Sequence, residues 1–306
     1  MHVHLVGVSG TGMGALAALF CEAGHVVSGS DVAFDPPVGP ALRALGVRCL
    51  DGYDSSHLDP RPDLVVVGNA IRRGNVEAEA AEQLGLARVS MSAALRAHFL
   101  SGRRPLVVAG THGKTTTSAM CAWLLSRAEY VPGWFIGGVP KGLAAGAAIG
   151  SPRVRLGRQS VDHVRSDDGR PGVAGYRGRA PFVVEGDEYD AVFWHKHPKF
   201  FDYIGVATDD VAIVTSIEHD HLDIYPDLAS YEAAFRGFVR RVPAAGLLVC
   251  AAHDARVRAV VAEEAIARVA FYALEGDDTG DVTPTWLGAP AAFAADGAQQ
   301  PFDLFA

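Results

Sequence analysis

Short apolar runs alternate with stretches of helical periodicity along most of this 306-residue chain. Residues 3–7 form the first apolar run, and a segment with apolar residues at the 3.6-residue spacing of a helix follows it, at Met13, Leu16, Ala17 and Phe20. Because strands that alternate with helices usually pair in parallel, the pattern predicts an α/β protein with a largely parallel sheet. Further strands are predicted at residues 26–31, 47–50, 63–68, near 89, and at 106–109, 134–140, 181–185, 211–217, 246–251 and 269–273, of which 269–273 is expected to be the last strand of the chain. Helices are predicted at residues 42–45, 77–84, 93–100, 119–124, 231–239 and 255–262.

One break in this pattern separates two predicted domains. Residues 101–105 are polar and rich in turn formers, so we place a boundary there, between a Rossmann-like domain at residues 1–104 and a second domain at residues 105–306. Residues 151–179 interrupt the second domain with seven arginines, three aspartates and little apolar periodicity. They are predicted to form a flexible surface insertion, and a nucleic-acid or phosphate-binding role for the arginines is the less favoured alternative.

Composition narrows the class of protein. A hydrophobic fraction of 49% and a charged fraction of 20% are those of an ordinary globular protein, and the net charge of −8 argues against nucleic acid as the main partner. The four cysteines lack metal-ligand spacing and are expected to be reduced thiols. The chain opens on a predicted strand without signal-peptide features, and no apolar run approaches the ~20 residues of a membrane span. We therefore expect a cytoplasmic protein with no membrane partner.

The strand at residues 106–109 leads into a motif that is typical of nucleotide triphosphate binding. The chain turns through Gly110 and Gly113 into Lys114, and a helix follows. In such a loop, backbone N–H groups face the phosphates, the lysine neutralises them, and the next hydroxyl holds Mg²⁺. The general motif would place a glycine where Val108 stands, so a plain strand–turn–helix is the alternative. The predicted ATP-binding residues are Gly110, Thr111, His112, Gly113, Lys114, Thr115 and Thr116.

A second glycine-rich turn, at residues 7–14, follows the first strand. Its glycines fit a tight turn that lets a pyrophosphate approach the backbone at a helix N-terminus. Asp31 ends the second strand where a dinucleotide-binding fold has its ribose ligand, and Asn69 follows the strand at residues 63–68. NAD and a sugar nucleotide fit this arrangement equally well. Turn or helix-cap roles are the alternative for Asn69 and Asn75.

Two clusters of acidic residues each follow a predicted buried strand. Glu185, Asp187, Glu188 and Asp190 belong to the first cluster, and residues 218–223 (Glu-His-Asp-His-Leu-Asp) form the second. In a parallel sheet the first cluster would lie beside the turn at Gly110. Crowded carboxylates are costly without a cation, and Mg²⁺ takes oxygen ligands of this kind. The histidines of the second cluster lack the partners of a zinc site, which favours Mg²⁺ or phosphate, and an exposed acidic turn is the alternative for the first cluster.

Taken in order, these stretches resemble the Mur ligases, which build and recycle peptidoglycan precursors. The resemblance covers nearly the whole chain except the arginine-rich insertion. It is carried by residues 68–75, 110–117, 136–140, 185–190 and 216–227. Tyr189 stands where the L-alanine-adding members usually have serine, so within the family the resemblance favours the members that add a peptide. Gly186 stands where the family usually has alanine.

The resemblance implies an ATP- and Mg²⁺-dependent ligase that joins the tripeptide L-alanyl-γ-D-glutamyl-meso-diaminopimelate to UDP-N-acetylmuramate through an acyl phosphate, in peptidoglycan recycling. It implies a UDP-sugar-binding, Rossmann-like domain followed by a P-loop-type central ATPase domain. Lys114 would neutralise the transferring phosphoryl group, Thr115 and Glu185 would hold one Mg²⁺, and His221 would support a second metal. The implied catalytic residues are Lys114, Glu185 and His221, and those implied to hold the sugar nucleotide are Gly10, Thr11, Gly12, Met13, Gly14, Asp31 and Asn69.

The end of the chain departs from the family pattern. Mur ligases carry a third domain, and residues 279–306, which are rich in Ala, Gly and Pro, show no such domain. The expectation is therefore a chain without the C-terminal ligase domain. Such a chain would bind the sugar nucleotide and ATP but would ligate poorly or not at all alone. The alternatives are a UDP-N-acetylmuramate–L-alanine ligase, a non-catalytic sugar-nucleotide- and ATP-binding fragment and, less favoured, a nicotinamide-dependent oxidoreductase.

Overall fold

The computed structural model describes residues 1–128, 130–151, 179–290 and 302–305, with the backbone alone at residues 290 and 302–305. These residues fall into two compact units, each made of several chain segments. The first unit comprises Met1–Arg104, Thr115–Glu185 and Asp190–His197, and the second comprises Pro105–Lys114, Gly186–Tyr189 and Pro198–Ala306. The predicted insertion at residues 151–179 lies, apart from its two ends, outside the described residues, and the predicted division into two domains at residue 104 stays a prediction.

Strands and helices alternate over most of the described chain, as the apolar pattern predicts. A 3₁₀ helix at Ser55–Leu58 and a π-helical turn at Arg96–Leu100 accompany them. The elements are β1 (His2–Val6), α1 (Thr11–Glu22), β2 (Val26–Asp31), α2 (Val38–Ala44), β3 (Arg48–Asp51), β4 (Leu64–Val67), α3 (Val76–Gln83), β5 (Arg88–Ser90), α4 (Met91–Leu95), β6 (Arg104–Ala109), α5 (Lys114–Arg127), β7 (Gly133–Phe135), β8 (Ala147–Ala148), β9 (Pro181–Glu185), β10 (Asp190–Val192), β11 (His195–Pro198), α6 (Phe200–Tyr203), β12 (Val211–Val214), α7 (Leu228–Val239), β13 (Leu247–Ala251), α8 (Ala255–Glu264), β14 (Arg268–Leu274), β15 (Trp286–Pro290) and β16 (Phe302–Phe305).

The first unit contains a five-stranded sheet in which every neighbouring pair of strands is parallel. Its strand order is β3-β2-β1-β4-β5, so the chain changes direction across the sheet between β1 and β4. Open α/β sheets bind ligands at such a switch point, beyond the carboxyl ends of the strands. The glycine-rich turn at residues 7–14 and the turn at Asn69 follow these two strands. The predicted Rossmann-like fold is confirmed.

A two-stranded hairpin, β10 with β11, contributes to the core of this unit. Val192 is buried in the same cluster as Val6 and Val65. The guanidinium of Arg88 lies 4.1 Å above the ring of Trp194, at cation–π distance. The sequence predicts no element at residues 190–198. Their His-Lys-His-Pro and Phe-Trp runs lack the alternation of a strand. The contacts of Val192 and Trp194 described above join the hairpin to residues more than a hundred positions away.

The second unit is built on a sheet with the strand order β16-β15-β14-β13-β12-β6. The pairs from β6 to β15 are parallel, and β15 pairs with β16 antiparallel. The prediction that residues 269–273 form the last strand is wrong, since β15 and β16 follow. The residues after β6, β12 and β13 share one edge of this sheet. Among the described residues no helix is long and apolar enough to cross a membrane.

Helix α7 shows how a capping motif moves an element boundary. Periodicity predicts a helix from residue 231, whereas α7 begins at Leu228. Asp227 accepts a hydrogen bond from the Ser230 N–H at 2.7 Å, and the Ser230 side chain faces the Asp227 backbone. This reciprocal cap satisfies N–H groups that the first turn leaves without helical partners. The signal, Asp-x-x-Ser before an apolar run, was available in the sequence.

Candidate functional site

The predicted phosphate-binding loop connects β6 to α5 through two glycines with positive φ. Gly110 has φ +140°, and a Cβ built on it would lie 2.0 Å from Thr215 Oγ1, so the residue after β6 must be glycine. Thr111 is buried, and its hydroxyl accepts the Glu218 N–H at 2.8 Å and lies 3.0 Å from the Tyr231 hydroxyl. The loop is therefore fixed to the segment after β12 and to α7.

Gly110→Ala is expected to weaken MgATP binding more than tenfold and to lower the free energy of unfolding by about 2–3 kcal/mol, because the new methyl group meets Thr215 at a backbone angle that side chains avoid. Gly276→Ala is the matched control: φ is +93° but no atom lies within 4 Å of its built Cβ, so only the backbone cost of about 1 kcal/mol applies. Urea unfolding and ATP titration measure both effects. Equal stability of the two variants would show that the loop tolerates a side chain.

Lys114 lies over the loop to which it belongs. Its ammonium donates hydrogen bonds to the carbonyls of Gly110 at 2.7 Å and Thr111 at 3.2 Å, and to Glu188 Oε1 at 3.1 Å. Its side chain is 16% exposed, which leaves the charge accessible from one side. A lysine that rests on weak carbonyl partners can exchange them for phosphate oxygens, which are stronger acceptors. The predicted role of Lys114 in holding phosphate stays a prediction.

Glu188 is the buried centre of the polar cluster in the second unit. Its Oε1 accepts from Lys114, from His221 Nε2 at 2.8 Å and from the Tyr231 hydroxyl at 3.3 Å, while its carbonyl accepts from the Tyr225 hydroxyl at 2.6 Å. Burial and the Glu188 carboxylate raise the pKa of Tyr231, so this phenol stays protonated and donates. The sequence placed Glu188 in an acidic cluster without a specific role. The structure shows that it orients both Lys114 and His221.

His221 occupies a strained position beside this carboxylate. Its backbone has φ +54°, the left-handed region that non-glycine residues seldom adopt. Its ring centroid lies 4.4 Å from that of Tyr189, and Asp220 accepts its N–H at 2.7 Å. Contact with the tilted Tyr189 ring, a carboxylate partner and an anchored backbone hold the imidazole in one orientation. Strain of this kind is common at functional positions.

The two other predicted metal ligands lie together in the first unit. Thr115 Oγ1 donates to Glu185 Oε1 at 2.6 Å, and the Gly137 N–H donates to Glu185 Oε2 at 2.7 Å. Within the described residues no group of three or more His, Cys, Asp or Glu side chains is arranged around a common metal position. Mg²⁺ in phosphate-transferring sites takes one or two protein oxygens and completes its shell with phosphates and water. A hydroxyl and a carboxylate are donors that fit such an ion.

Part of the predicted carboxylate crowding is balanced by lysines rather than by metal. Asp187 pairs with Lys199 at 2.7 Å, and Glu188 pairs with Lys114 at 3.1 Å. Lys199 is almost fully buried, with 5% of its side chain exposed. Lysine side chains of the chain itself therefore supply the positive charge that the sequence analysis expects beside these two carboxylates.

A polar cavity of about 790 Å³ opens in the second unit between the end of β12 and helices α7 and α8. Ser216 and Glu218 line it next to the loop, since Ser216 Oγ accepts the His112 N–H at 3.1 Å. His253 and Asp254, which follow β13, line its other side. Its volume is in the range that holds a nucleotide-sized ligand. The sequence did not single out His253 or Asp254, although polar residues after a buried strand were the available signal.

Asp254→Ala is expected to destabilise the second unit by about 2 kcal/mol, because Asp254 caps α8 and also holds the wall of the cavity. It accepts the N–H groups of Arg256 at 2.8 Å, Val257 at 3.0 Å and Ile217 at 2.9 Å. Urea unfolding should show the loss. Asp254→Asn, which retains a capping oxygen, should lose less than half as much, and an equal loss in both variants would argue against the cap as the cause.

The glycine-rich turn of the first unit leads into a helix that lacks a side-chain cap. Gly10 is the N-cap of α1 and makes no side-chain hydrogen bond, so the N–H groups of the first turn are available to an anion. Asp31 Oδ2 accepts the Ser9 N–H at 2.8 Å, which ties the end of β2 to the turn. The side chain of Met13 lies against Gly68, the residue before Asn69. The structure thus brings the turn, Asp31 and the Asn69 segment to one end of the sheet.

The two asparagines after β4 differ in role. Asn69 is exposed in a turn, where its side chain is accessible. Asn75 is the N-cap of α3 and accepts the N–H groups of Glu77 at 3.1 Å and Ala78 at 3.0 Å. The helix-cap alternative is therefore confirmed for Asn75. The predicted ligand-binding role of Asn69 stays a prediction.

Comparison with known proteins identifies the family. The model of the Mur ligase family, catalytic domain, matches residues 2–103, and that of the Mur ligase middle domain matches residues 196–294. The crystal structure of the UDP-N-acetylmuramate:L-alanyl-gamma-D-glutamyl-meso-diaminopimelate ligase from Neisseria meningitides has a TM-score of 0.80 and 34% identity, covering 99% of this chain and 83% of that chain. The chain belongs to the Mur ligase family. Members of this family are ATP-dependent amide-bond ligases.

Curated relatives of this Mur ligase chain carry two different substrate names. The Escherichia coli (strain K12) UDP-N-acetylmuramate–L-alanyl-gamma-D-glutamyl-meso-2,6-diaminoheptandioate ligase is 37% identical over 262 residues, which are 86% of this chain and 50% of that protein. The UDP-N-acetylmuramate–L-alanine ligase of Roseiflexus sp. (strain RS-1) is 36% identical over 315 residues, covering 100% of this chain and 57% of that protein. The chain spans about half the length of the curated relatives it matches. Both family models describe Mur ligases and give no support to the oxidoreductase alternative.

Proposed function

We propose that this Mur ligase joins UDP-N-acetylmuramate to the tripeptide L-alanyl-γ-D-glutamyl-meso-diaminopimelate at the expense of ATP, as a step of peptidoglycan recycling. The observation that carries the proposal is the cluster of Lys114, Glu188 and His221 at the glycine turn after β6. A cluster of this kind binds and neutralises a phosphoryl group during its transfer. The tripeptide is favoured by Tyr189 and by relatives whose names include that peptide.

Each nucleotide has its own group of residues in this proposal. Residues 110–116 hold the phosphates of ATP, and the cavity of about 790 Å³ that begins at Ser216 receives the base and ribose. Thr115 and Glu185 hold Mg²⁺, which neutralises charge on the phosphates. Residues 10–14 bind the pyrophosphate of the sugar nucleotide through the first-turn N–H groups at residues 11–13, with Asp31 and Asn69 beside them.

The proposed reaction has two steps. A carboxylate oxygen of UDP-N-acetylmuramate attacks the γ-phosphorus of ATP, which gives an acyl phosphate and ADP. The amine of the tripeptide then attacks the acyl carbon, the amide bond forms and phosphate leaves with one oxygen of the original carboxylate. Lys114 stabilises the negative charge of the transferring group, and Glu188 keeps the lysine and His221 in place.

Acceptor competition tests the proposed substrate. MgATP and UDP-N-acetylmuramate are supplied with equal concentrations of tripeptide and L-alanine, and the products are resolved by mass. Tripeptide product in at least tenfold excess is the expected result. Excess L-alanine product would favour the second candidate, the L-alanine-adding ligase, which the relative covering the whole chain supports. Binding of both nucleotides without ADP release would favour the non-catalytic binding fragment.

A further inference from the structure

A fully buried carboxylate, Glu77, lies in the first turn of α3. Four donors surround it, two on each oxygen. Oε2 accepts from His4 Nε2 at 3.2 Å and from the Ser30 hydroxyl, and Oε1 accepts from the Asp54 N–H at 3.0 Å and from His57 Nδ1. These donors come from β1, from β2, and from the 3₁₀ helix with its N-cap Asp54. Glu77 therefore joins three separate parts of the first unit.

The charge state of Glu77 follows from these contacts. Burial alone would raise its pKa, but the hydrogen bonds from His4, Ser30 and the Asp54 N–H outweigh burial and hold the pKa below its ordinary value. The group is thus an anion at neutral pH, and His4 and His57 are the facing groups that can carry positive charge. A buried anion is costly to place and persists where its partners are well oriented. Capping of α3 does not explain it, because Asn75 already provides the cap.

One arm of this network reaches the glycine-rich turn through β2. The hydroxyl of Ser30 donates to Glu77, and the Ser30 carbonyl accepts the N–H groups of Gly7 at 2.9 Å and Val8 at 3.1 Å. Gly7 has φ +85°, so the chain reverses sharply at this point. The orientation of Ser30 therefore sets where the turn begins.

A second arm reaches the same turn through Tyr53 and Asp31. Glu77 accepts the Asp54 N–H, and the neighbouring Tyr53 donates its hydroxyl to Asp31 Oδ1 at 3.3 Å. Burial and the Asp31 carboxylate raise the pKa of Tyr53 to about 12, which keeps this phenol a donor at neutral pH. The other oxygen of Asp31 accepts the Ser9 N–H at 2.8 Å. Both arms thus end on consecutive residues of the turn.

We infer that Glu77 is a positioning residue for the glycine-rich turn at residues 7–14: through Ser30 and through the Tyr53–Asp31 pair it fixes residues 7–9, and with them the position of the N–H groups at residues 11–13 that face the pyrophosphate of a sugar nucleotide. The identity of the ligand in this inference rests on the proposed function, whereas the positioning of the turn by Glu77 does not. A purely structural role would lower stability and leave the affinity of the folded protein unchanged.

Glu77→Gln tests the inference, with hydrogen exchange of the ligand-free protein and ligand titration as readouts. The glutamine side chain has nearly the same size as that of glutamate, but its amide nitrogen cannot accept the two hydrogen bonds that one carboxylate oxygen accepts. We expect amide exchange at residues 7–9 to accelerate at least tenfold, the Kd for UDP-N-acetylmuramate to rise about tenfold, and the Kd for MgATP to change less than twofold. Val65→Ala, a core truncation on β4, is the control: it lowers stability but removes no hydrogen-bonding group of the network, and it should leave exchange at residues 7–9 and both affinities unchanged.

Ser30→Ala removes one arm and is the second variant if Glu77→Gln does not fold. It should accelerate exchange at Gly7 and Val8 more than at Ser9, because the arm through Asp31 remains. Unchanged exchange at residues 7–9 in both variants, or the same change in Val65→Ala, would overturn the inference. Accelerated exchange in a protein that does not bind UDP-N-acetylmuramate would uphold the positioning role and refute the proposed ligand.

Discussion

Lys114→Ala is expected to weaken MgATP binding about a hundredfold, equivalent to ~3 kcal/mol. The ammonium of Lys114 is partly buried on the loop after β6 and lies within reach of any phosphate that binds there. Residues 110–117 contain no lysine or arginine besides Lys114, and His112 is their only other basic residue. Isothermal titration with MgATP measures the loss directly.

Two controls separate this effect from general damage. Lys196→Ala removes an exposed lysine from β11 and should leave the Kd for MgATP unchanged. Because Lys114 also balances the buried Glu188, thermal unfolding must show that the Lys114 variant is folded before its affinity is interpreted. An affinity within threefold of the wild-type value in a folded variant would refute the role of Lys114 in phosphate binding.

Glu185→Gln and Thr115→Val are expected to abolish the advantage of MgATP over metal-free ATP. The Thr115 hydroxyl and the Glu185 carboxylate form an oxygen pair suited to Mg²⁺, and loss of one member costs metal affinity about tenfold or more. The measured quantity is the ratio of the Kd for ATP in EDTA to the Kd in Mg²⁺. In the wild type this ratio should exceed about ten, and in both variants it should approach one.

Thr115→Ser is the matched control for this prediction. Serine retains the hydroxyl and removes only a methyl group, so the ratio should stay near the wild-type value. A ratio that falls equally in Thr115→Ser would point to altered packing of α5 rather than to a lost oxygen ligand. A wild-type ratio in Glu185→Gln would remove Glu185 from the metal site.

Local patterns in the sequence predict much of this fold and several residues of its candidate site. Apolar runs locate β1, β4, β6 and β12 because both faces of these strands are buried or half-buried, and the glycine–lysine turn after β6 is recognisable from its own residues. The acidic cluster at Glu185 is predicted for the same reason, since it directly follows a strand. In each case the signal lies within about ten consecutive residues.

Contacts between distant residues account for what the sequence did not predict. Glu77 and His4 are 73 positions apart, and Glu188 meets Lys114 across 74 positions. Nothing in the local sequence distinguishes Glu77 from an exposed carboxylate. For Glu188 the sequence indicates a position beside the turn at Gly110, but not its pairing with Lys114. The hairpin β10–β11 and the strands β15 and β16 were also missed. Residues 195–198 read His-Lys-His-Pro, which has no strand pattern, and residues 286–290 follow a run of Gly, Asp, Thr and Pro that is typical of a loop.

Transfer of an oxygen atom from substrate to phosphate is the most direct test of the proposed ligase chemistry. UDP-N-acetylmuramate with heavy oxygen in its carboxylate is incubated with MgATP, tripeptide and the protein, and the released phosphate is analysed by mass spectrometry. Formation of an acyl phosphate requires each released phosphate to carry one heavy oxygen atom, and the method detects even slow turnover. Unlabelled phosphate would show that ATP is hydrolysed by water, and the chain would not perform the reaction proposed for it.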